Sequence, residues 1–214
     1  MSDSVVESLS AQQARSKRTR DQLIAAGYRL LEKQSLTTIT VADITQEAGF
    51  SIGAFYRRFE NRDVFFDALL QAALEEAAAT MQDLFEGKKD YASFADRFAR
   101  TIIQRHVKYR AVYRAAALRG YNNPEERTPT KEYARTVLSR LREWSEIYLG
   151  RSLSRAETVQ MSMSFQVLNG TILNALVGNP GPMRLEDPEF ENELARIFRD
   201  SLSHIFAKAR KGSP

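Results

Sequence analysis

The sequence predicts an all-α fold, in which a small N-terminal domain of three helices is joined by a long helix to a larger helical domain. Three observations support this prediction. Apolar residues recur at intervals of three and four through most of the chain, the spacing of an amphipathic helix. Residues typical of helix caps begin these segments, and Gly, Asn or Pro follows them. No segment has the period-two alternation of a β-strand.

The composition is that of a globular protein with a sizeable core. Of 214 residues, 43% are hydrophobic and 27% are charged. The absence of cysteine excludes disulfides and thiolate metal sites and fits a reducing compartment. The N-terminal segment lacks the apolar stretch of a secretory signal, and no apolar run approaches the ~20 residues of a transmembrane helix. We therefore predict a cytoplasmic protein without a membrane-spanning segment.

The first predicted helix spans residues 15–34. A polar tail, residues 1–13, precedes it and is predicted to be disordered. The helix opens with basic residues at 15, 17, 18 and 20. Its apolar stripe serves the core and consists of Leu23, Ile24, Gly27, Leu30 and Leu31.

A second helix is predicted immediately after Thr40. Thr40 and Asp43 form an acidic variant of the capping box. The apolar face that follows ends before Gly49, a residue suited to the left-handed conformation that terminates a helix. These positions predict the first half of a helix-turn-helix.

The third helix is predicted over residues 52–58, with Ser51 as its cap. Phe55 and Phe59 lie four residues apart and are expected to point inward. The opposite side is then exposed and carries Ile52, Gly53, Tyr56 and Arg57.

That exposed side is better suited to a DNA duplex than to water. Gly53 and Ala54 are small enough for the backbone to approach a groove, and the Tyr56 hydroxyl can donate to a phosphate. Arg57 and Arg58 can neutralise phosphates or pair with a guanine edge. Asn61 is placed to cap the next helix, and the dipole of that helix with Arg62 suits another phosphate.

The charge distribution supports this prediction. Residues 11–62 contain nine Lys or Arg and five Asp or Glu, a net charge of +4, which equals the net charge of the whole chain. The positive excess therefore lies on the segment predicted to contact DNA.

The stretch TVADITQEAGFSIGAFYRRFENRD resembles the DNA-binding domain of the TetR family of bacterial transcriptional regulators. The resemblance covers about residues 16–70, and its specific part is a glycine turn, S-x-G-x-F-Y-x-x-F and an asparagine-capped helix. Thr45, Phe50, Arg58 and Arg62 depart from the residues usual in the family, which leaves the target sequence open.

The resemblance implies that the protein binds a double-stranded DNA operator. It favours a repressor that a small-molecule effector releases from that operator. It also suggests that the basic start of the first helix lies near the DNA backbone, although a solvated helix end explains those residues equally well. The predicted DNA contacts are Arg18, Thr38, Thr40, Ser51, Ile52, Gly53, Ala54, Tyr56, Arg57, Arg58 and Arg62.

A fourth helix is predicted from Asn61 to about Glu86, long enough to act as a lever between two domains. Asp90 caps a fifth helix, and a short helix over residues 111–118 ends at Gly120. Residues 121–130 are predicted to be a loop, and a seventh helix spans residues 131–149 and ends at Gly150. The predicted domains are a tail at 1–13, a helix-turn-helix domain at 14–62, an effector-binding and dimerisation domain at 63–210, and a tail at 211–214.

The last two helices are predicted to form a homodimer interface. They span residues 155–177 and 188–210, and both are long and apolar. Ser154 and Glu157 form a capping box that starts the first of them. Two such helices from each of two copies would make a four-helix bundle, and the resemblance implies the same arrangement. Burial within one subunit is the alternative.

Aromatic residues on the middle helices predict a ligand pocket, since such sites are mostly apolar with a few polar groups. A purely structural core is an equally good explanation for any single one of them. The predicted lining is Phe94, Phe98, Ile102, His106, Tyr109, Tyr113, Trp144, Tyr148, Phe165 and Asn169. Between Arg97 and Arg119, seven basic residues occur without an acidic one, which predicts a solvated helix face rather than an anion-binding surface.

The sequence contains no pattern typical of an enzyme. The two histidines, His106 and His204, have no metal-ligand spacing, and no phosphate loop, dinucleotide fingerprint or nucleophile motif occurs. We therefore predict no catalytic residue, metal or cofactor. The alternative function is a ligand-binding or interaction protein of the same fold that does not regulate DNA.

Overall fold

The structure is a computed structural model, and it describes residues 3–86, 90–122, 128–178 and 181–207. Within these ranges it contains nine α-helices and no strand, so the all-α prediction is confirmed. The helices are α1 (Asp3–Lys33), α2 (Val41–Ala48), α3 (Ile52–Tyr56), α4 (Arg62–Glu86), α5 (Tyr91–Lys108), α6 (Arg110–Asn122), α7 (Pro129–Leu149), α8 (Arg155–Val177) and α9 (Pro188–Ala207).

The chain divides into two compact units, Met1–Ala72 and Ala73–Pro214. The division falls within α4, later than the boundary predicted after residue 62. The reason lies in the first turns of α4, where Phe65, Phe66 and Leu69 are buried as part of the N-terminal unit.

Helix α1 begins much earlier than predicted. It starts at Asp3, so the prediction of a disordered tail is wrong for residues 3–13. Polarity favoured disorder, but neither Gly nor Pro interrupts residues 3–26, and Glu, Gln, Ala, Leu and Arg are good helix formers. The predicted C-terminal tail, residues 211–214, lies outside the described residues, as do residues 208–210 of the last predicted helix.

In the N-terminal unit, α1 and α4 approach each other closely at Gly27. A Cβ atom built on Gly27 would lie 2.7 Å from Phe65 Cζ and 3.0 Å from both Leu69 methyl carbons. The next residue also joins the two helices, because the Tyr28 hydroxyl donates a hydrogen bond to the Leu69 carbonyl over 2.8 Å. Glycine is therefore required at 27 by packing rather than by backbone conformation.

The predicted caps of α2 are confirmed. The Asp43 amide donates to Thr40 Oγ1 over 3.1 Å, and the Thr40 amide donates back to the Asp43 carboxylate over 2.8 Å. These bonds lower the pKa of Asp43, the Thr40 hydroxyl contributing most. Gly49 has a φ of 73°, so it ends the helix in the left-handed conformation expected from its position.

Two predicted boundaries in the C-terminal unit are wrong. Helix α6 continues through Gly120 to Asn122, because one glycine weakens a helix without necessarily ending it. Helix α7 starts at Pro129 rather than after residue 130, with Thr128 as its cap. Proline is well tolerated at the first position of a helix, where its missing N–H has no partner to lose.

The core of the C-terminal unit forms where α5 packs against α9. Phe98 stacks on Phe198 with ring centroids 5.4 Å apart, and Arg100 donates to Glu191 across the same pair of helices over 2.9 Å. Helix α8 packs on α9, α6, α5 and α7. Trp144 on α7 stacks on Phe94 of α5 at 3.5 Å and closes one side of this core.

The start of α8 is held by the predicted capping box. The Ser154 hydroxyl accepts from the Glu157 amide, and Glu157 accepts from the Ser154 amide over 2.9 Å and from Arg151 over 2.7 Å. The Arg151 guanidinium, with the Ser154 amide, lowers the pKa of Glu157 to about 2. None of the described helices is long and apolar enough to cross a membrane.

Candidate nucleic-acid interface and internal cavity

Helix α3 is the element predicted to face DNA, and it is only five residues long, Ile52–Tyr56. The predicted end at residue 58 is wrong, because Arg57 and Arg58 form the turn that follows. The start is as predicted: the Ser51 hydroxyl accepts from the Ala54 amide over 3.2 Å. A helix this short cannot be stable by itself and depends on its neighbours.

A cluster of three phenylalanines holds α3 in place, and we call it the aromatic cluster. It consists of Phe55, Phe59 and Phe65, each at most 2% exposed. The Phe55 ring lies 5.3 Å from Phe59 and 5.4 Å from Phe65, and Phe59 lies 5.0 Å from Phe65. The two residues predicted to point inward therefore do so.

The opposite side of α3 is open to solvent, as predicted. Ile52 is 51% exposed and Tyr56 is 54% exposed, and Gly53 and Arg57 are exposed as well. Ala54 is an exception, because its side chain is 6% exposed and packs inward. The approach of the Ala54 backbone to a groove, which its small side chain was predicted to permit, stays a prediction.

Two of the predicted DNA-contacting arginines bind backbone carbonyls of their own unit. Arg58 donates to the carbonyls of Ala54, over 2.9 Å, and Ser16, over 3.2 Å. Arg62 donates to the carbonyl of Ile39 over 2.9 Å. Both guanidiniums therefore hold neighbouring segments together, a role that the sequence did not suggest.

The remaining predicted contacts are all on the surface. Arg18, Thr38, Thr40 and Ser51 are exposed, and Thr40 and Ser51 already serve as helix caps through their hydroxyls. The predicted cap at Asn61 is confirmed, since its Oδ1 accepts from the Val64 amide over 2.9 Å.

The C-terminal unit contains a large cavity of about 880 Å3 that is open to solvent on one side. Five of the ten predicted pocket residues line it: Ile102, His106, Tyr113, Phe165 and Asn169. Further apolar walls come from α4, α7 and α8 and include Leu74, Val137, Leu138 and Leu173. A cavity of this size is within the range of small-molecule sites.

The other five predicted pocket residues do not line this cavity. Phe94, Phe98 and Trp144 are packed against each other and against α9. The Tyr109 hydroxyl donates to Glu76, and Tyr148 is 40% exposed. Aromatic residues of a core and of a cavity have the same helical spacing, so the sequence could not separate them.

The polar residues of the cavity that were not predicted from the sequence include Arg105 and Tyr133. Arg105 lies three residues after Ile102 and seven after Phe98, which places it on the apolar face of α5. An arginine at that spacing was a detectable signal. Its guanidinium carbon lies 4.7 Å from the Tyr133 ring centroid and 5.4 Å from that of Tyr113.

His106 is buried and uncharged. Burial, with the nearby Arg105 charge, lowers the pKa of His106 to about 3. Its Nδ1 lies 2.8 Å from the Ile102 carbonyl oxygen. Because a carbonyl only accepts, Nδ1 carries the proton. No group of residues suited to a metal ion occurs in the parts of the chain that the structure describes.

Three of the seven basic residues from Arg97 to Arg119 form ion pairs in the structure. Arg100 pairs with Asp96 and Glu191, Lys108 with Glu76, and Arg110 with Glu186. The predicted solvated face therefore applies to Arg97 and Arg114, which are exposed.

Helices α8 and α9 share an apolar groove of about 810 Å3 on the surface of the C-terminal unit. Its exposed apolar residues are Val159 (59%), Met163 (56%), Val167 (46%) and Ile197 (47%). Three of them recur every four residues along α8. Ile197 belongs to the apolar stripe of the last helix, and it lies on this exposed surface rather than in the core.

Comparison with known proteins agrees with these features. Residues 23–69 match the family model of bacterial regulatory proteins, tetR family. No curated protein sequence is significantly similar to the chain.

Solved structures extend the likeness to most of the chain. A tetR-family transcriptional regulator from Streptomyces coelicolor is 20% identical, with a TM-score of 0.65 over 90% of this chain and 83% of that one. A TetR-family regulator from Mesorhizobium loti is 14% identical, with a TM-score of 0.65 over 90% and 97%. A transcriptional regulator from Rhodococcus is 21% identical, with a TM-score of 0.64 over 88% and 96%. Residues 23–69 therefore match the N-terminal domain of the tetR family, and most of the chain shares the fold of these solved regulators.

Proposed function

We propose that the protein is a homodimeric transcriptional repressor that binds a palindromic DNA operator and leaves it when a small molecule occupies the internal cavity. It works in the cytoplasm and carries no enzymatic activity. The TetR-family fold supports regulation of transcription in general. The repressor mode, the operator and the release by an effector belong to the proposal.

The observation that carries the proposal is the two-sided character of α3. One side is fixed by the aromatic cluster, and the other exposes Ile52, Gly53, Tyr56 and Arg57 to solvent. An exposed isoleucine and tyrosine beside arginines are unfavourable as bare surface but complementary to a major groove and its phosphates.

Dimerisation is supported by the apolar groove of α8 and α9. Its exposed residues repeat every four positions on one face of α8, which is the pattern of a helix that packs against another helix. A second copy, related by a two-fold axis, covers this face with the same residues. Two copies of α3 are then expected to bind half-sites about 34–36 Å apart.

Release from DNA is proposed to act through α4. This helix contributes Leu74 to the wall of the cavity and Phe65 to the aromatic cluster. A ligand that displaces α4 changes the spacing of the two reading helices, and the fixed spacing of half-sites then lowers affinity. The ligand acts only to the extent that it binds the displaced state more tightly.

Selection of DNA from a random pool tests the proposal directly. The purified protein is expected to enrich a palindromic sequence, with half-sites separated by about one turn of DNA. Enrichment of unrelated sequences, or no salt-dependent duplex binding, would instead favour the ligand-binding protein without a role at DNA.

Replacing Arg57 by alanine is expected to weaken binding to the selected operator about tenfold or more, because this exposed guanidinium contacts a base edge or a phosphate. Fluorescence anisotropy at one moderate salt concentration measures the change. Arg97→Ala, an exposed arginine of α5 in the other unit, is the matched control and should bind as the wild type does. Equal affinities for wild type and Arg57→Ala would count against the proposed face.

Replacing Arg62 by alanine is expected to weaken binding to operator and random DNA by similar factors. A phosphate contact carries no sequence information, so the salt dependence should flatten by about one unit of slope. The same variant loses the bond to the Ile39 carbonyl and should unfold at a lower temperature. A change in sequence preference alone would remove Arg62 from the phosphate contacts.

A further inference from the structure

Two buried nitrogen atoms of Arg105 without a hydrogen-bond partner among the described residues mark one side of the cavity. The two atoms are Nε and Nη1. The hydroxyls of Tyr113 and Tyr133 are also buried, and they have no hydrogen-bond partner among the described residues. Three donor groups therefore lie in one region of the cavity wall without acceptors.

Among the described residues that line the cavity, no carboxylate compensates the charge of Arg105. The described residues that line the cavity include Lys131 and Arg135 as well as Arg105, and none is Asp or Glu. Other basic residues of the same stretch are paired, as Arg100, Lys108 and Arg110 demonstrate. The Arg105 guanidinium instead lies over the rings of Tyr133 and Tyr113, 4.7 and 5.4 Å from their centroids.

Burying these donors without partners lowers the stability of the fold unless a bound ligand supplies the missing acceptors. Buried donors without partners are rare in folded proteins, and a buried charge is normally paired. Cation–π contacts offset part of the cost but leave the N–H groups unsatisfied. An anionic group beside Arg105 would satisfy both the charge and the hydrogen bonds.

The neighbouring titratable groups favour an anion in this position. Burial raises the pKa of Tyr113 to about 12 and also raises the pKa of Tyr133, so both phenols remain protonated donors. His106 is neutral and donates from Nδ1 within its own helix, so it neither adds charge nor competes for the ligand.

The rest of the cavity is apolar, which limits the kind of anion. Leu74, Ile102, Val137, Leu138, Phe165 and Leu173 supply most of the wall. A small inorganic ion would leave most of the 880 Å3 unfilled. A ligand with an apolar body and one carboxylate complements both the walls and the guanidinium.

We propose that the cavity binds an organic carboxylate, with the carboxylate accepting from the Arg105 guanidinium and from the Tyr113 or Tyr133 hydroxyl. The body of the ligand lies against the apolar walls of α4, α5, α7 and α8. The inference rests on the proposed function in one respect, that the bound acid is the effector. Binding of the acid itself does not depend on DNA binding.

Matched acids and amides test the assignment, because the two differ in charge and little in shape. The probes are octanoate with octanamide, and 2-naphthoate with 2-naphthamide, titrated into the full chain by calorimetry. The wild type is expected to bind at least one acid about tenfold or more tightly than its amide. Equal affinity within both pairs, or no binding of either acid, would overturn the proposal.

Substitution of Arg105 assigns the preference to one residue. Arg105→Gln is expected to lose about ten- to a hundredfold in acid affinity and little in amide affinity. Arg97→Gln, an exposed arginine on the same helix, is the control and should bind both probes as the wild type does. Unchanged acid affinity in a folded Arg105→Gln would contradict the assignment.

Tyr133→Phe provides an independent variant, since it keeps the aromatic ring and removes only the hydroxyl. It is expected to weaken the acid several-fold and to leave the amide unchanged, and it remains informative if Arg105→Gln does not fold. Operator binding is measured in parallel. Acid binding without operator binding would refute the proposed function alone, whereas operator binding without any acid preference would refute this inference alone.

Discussion

Replacing Phe55 by alanine is expected to destabilise the N-terminal unit by about 3–5 kcal/mol. The Phe55 side chain is fully buried and packs against two other rings of the aromatic cluster, at 5.3 and 5.4 Å. Truncation leaves a cavity where α3 meets α4 and removes both aromatic contacts. Because α3 has only five residues, we expect it to lose its position and the protein to lose operator binding.

The adjacent aromatic residue provides the matched control. Tyr56 is 54% exposed, so Tyr56→Ala should change the free energy of unfolding by no more than about 1 kcal/mol. It should nevertheless weaken operator binding, since its hydroxyl is proposed to contact a phosphate. Urea unfolding followed by circular dichroism, combined with anisotropy on the operator, separates the two effects. A similar loss of stability in both variants would contradict the two-sided description of α3.

The second large effect is expected at the apolar groove of α8 and α9. In Met163→Glu/Val167→Glu, two charges replace adjacent apolar residues on one face of α8, which are 56% and 46% exposed in the single chain. At a two-fold interface each charge is introduced twice, so four carboxylates would be desolvated. The dimer dissociation constant should rise about a hundredfold or more, as sedimentation equilibrium would measure.

Ile147→Glu is the control for this experiment. Ile147 is an apolar residue of α7 that is 75% exposed and does not line the groove. It should remain dimeric and bind the operator as the wild type does. If the double variant also stays dimeric, the groove is not the interface and the last two helices are not what brings the half-sites together.

Local signals in the sequence predicted much of the fold. The caps at Thr40, Ser51 and Ser154 were predicted correctly because each depends on a side chain and an amide three residues away. The left-handed glycines 49 and 150 end α2 and α7, as predicted. The predicted boundaries at Gly120 and Pro129 were wrong because glycine does not always end a helix and proline can occupy the first position of one.

The DNA-facing side of α3 was predictable, because the helical repeat alone decides which of its side chains are exposed. The split of α3 into buried Phe55 and exposed Tyr56 follows from the helical repeat. The cavity was not predictable in this way, because its lining depends on which helices pack around it. Phe94 and Phe165 have similar sequence surroundings, but the first packs on Trp144 and the second lines the cavity.

The brevity of α3 has a consequence for protein engineering. A peptide of these five residues would be unstructured in water, since a single turn and a half cannot form a stable helix. Grafting the exposed side of α3 onto another scaffold would therefore require Phe55, Phe59 and Phe65 to be grafted as well. Redesign of sequence preference is better confined to the exposed positions Ile52, Gly53 and Arg57, because the Tyr56 ring also contacts Phe55, with ring centroids 5.4 Å apart.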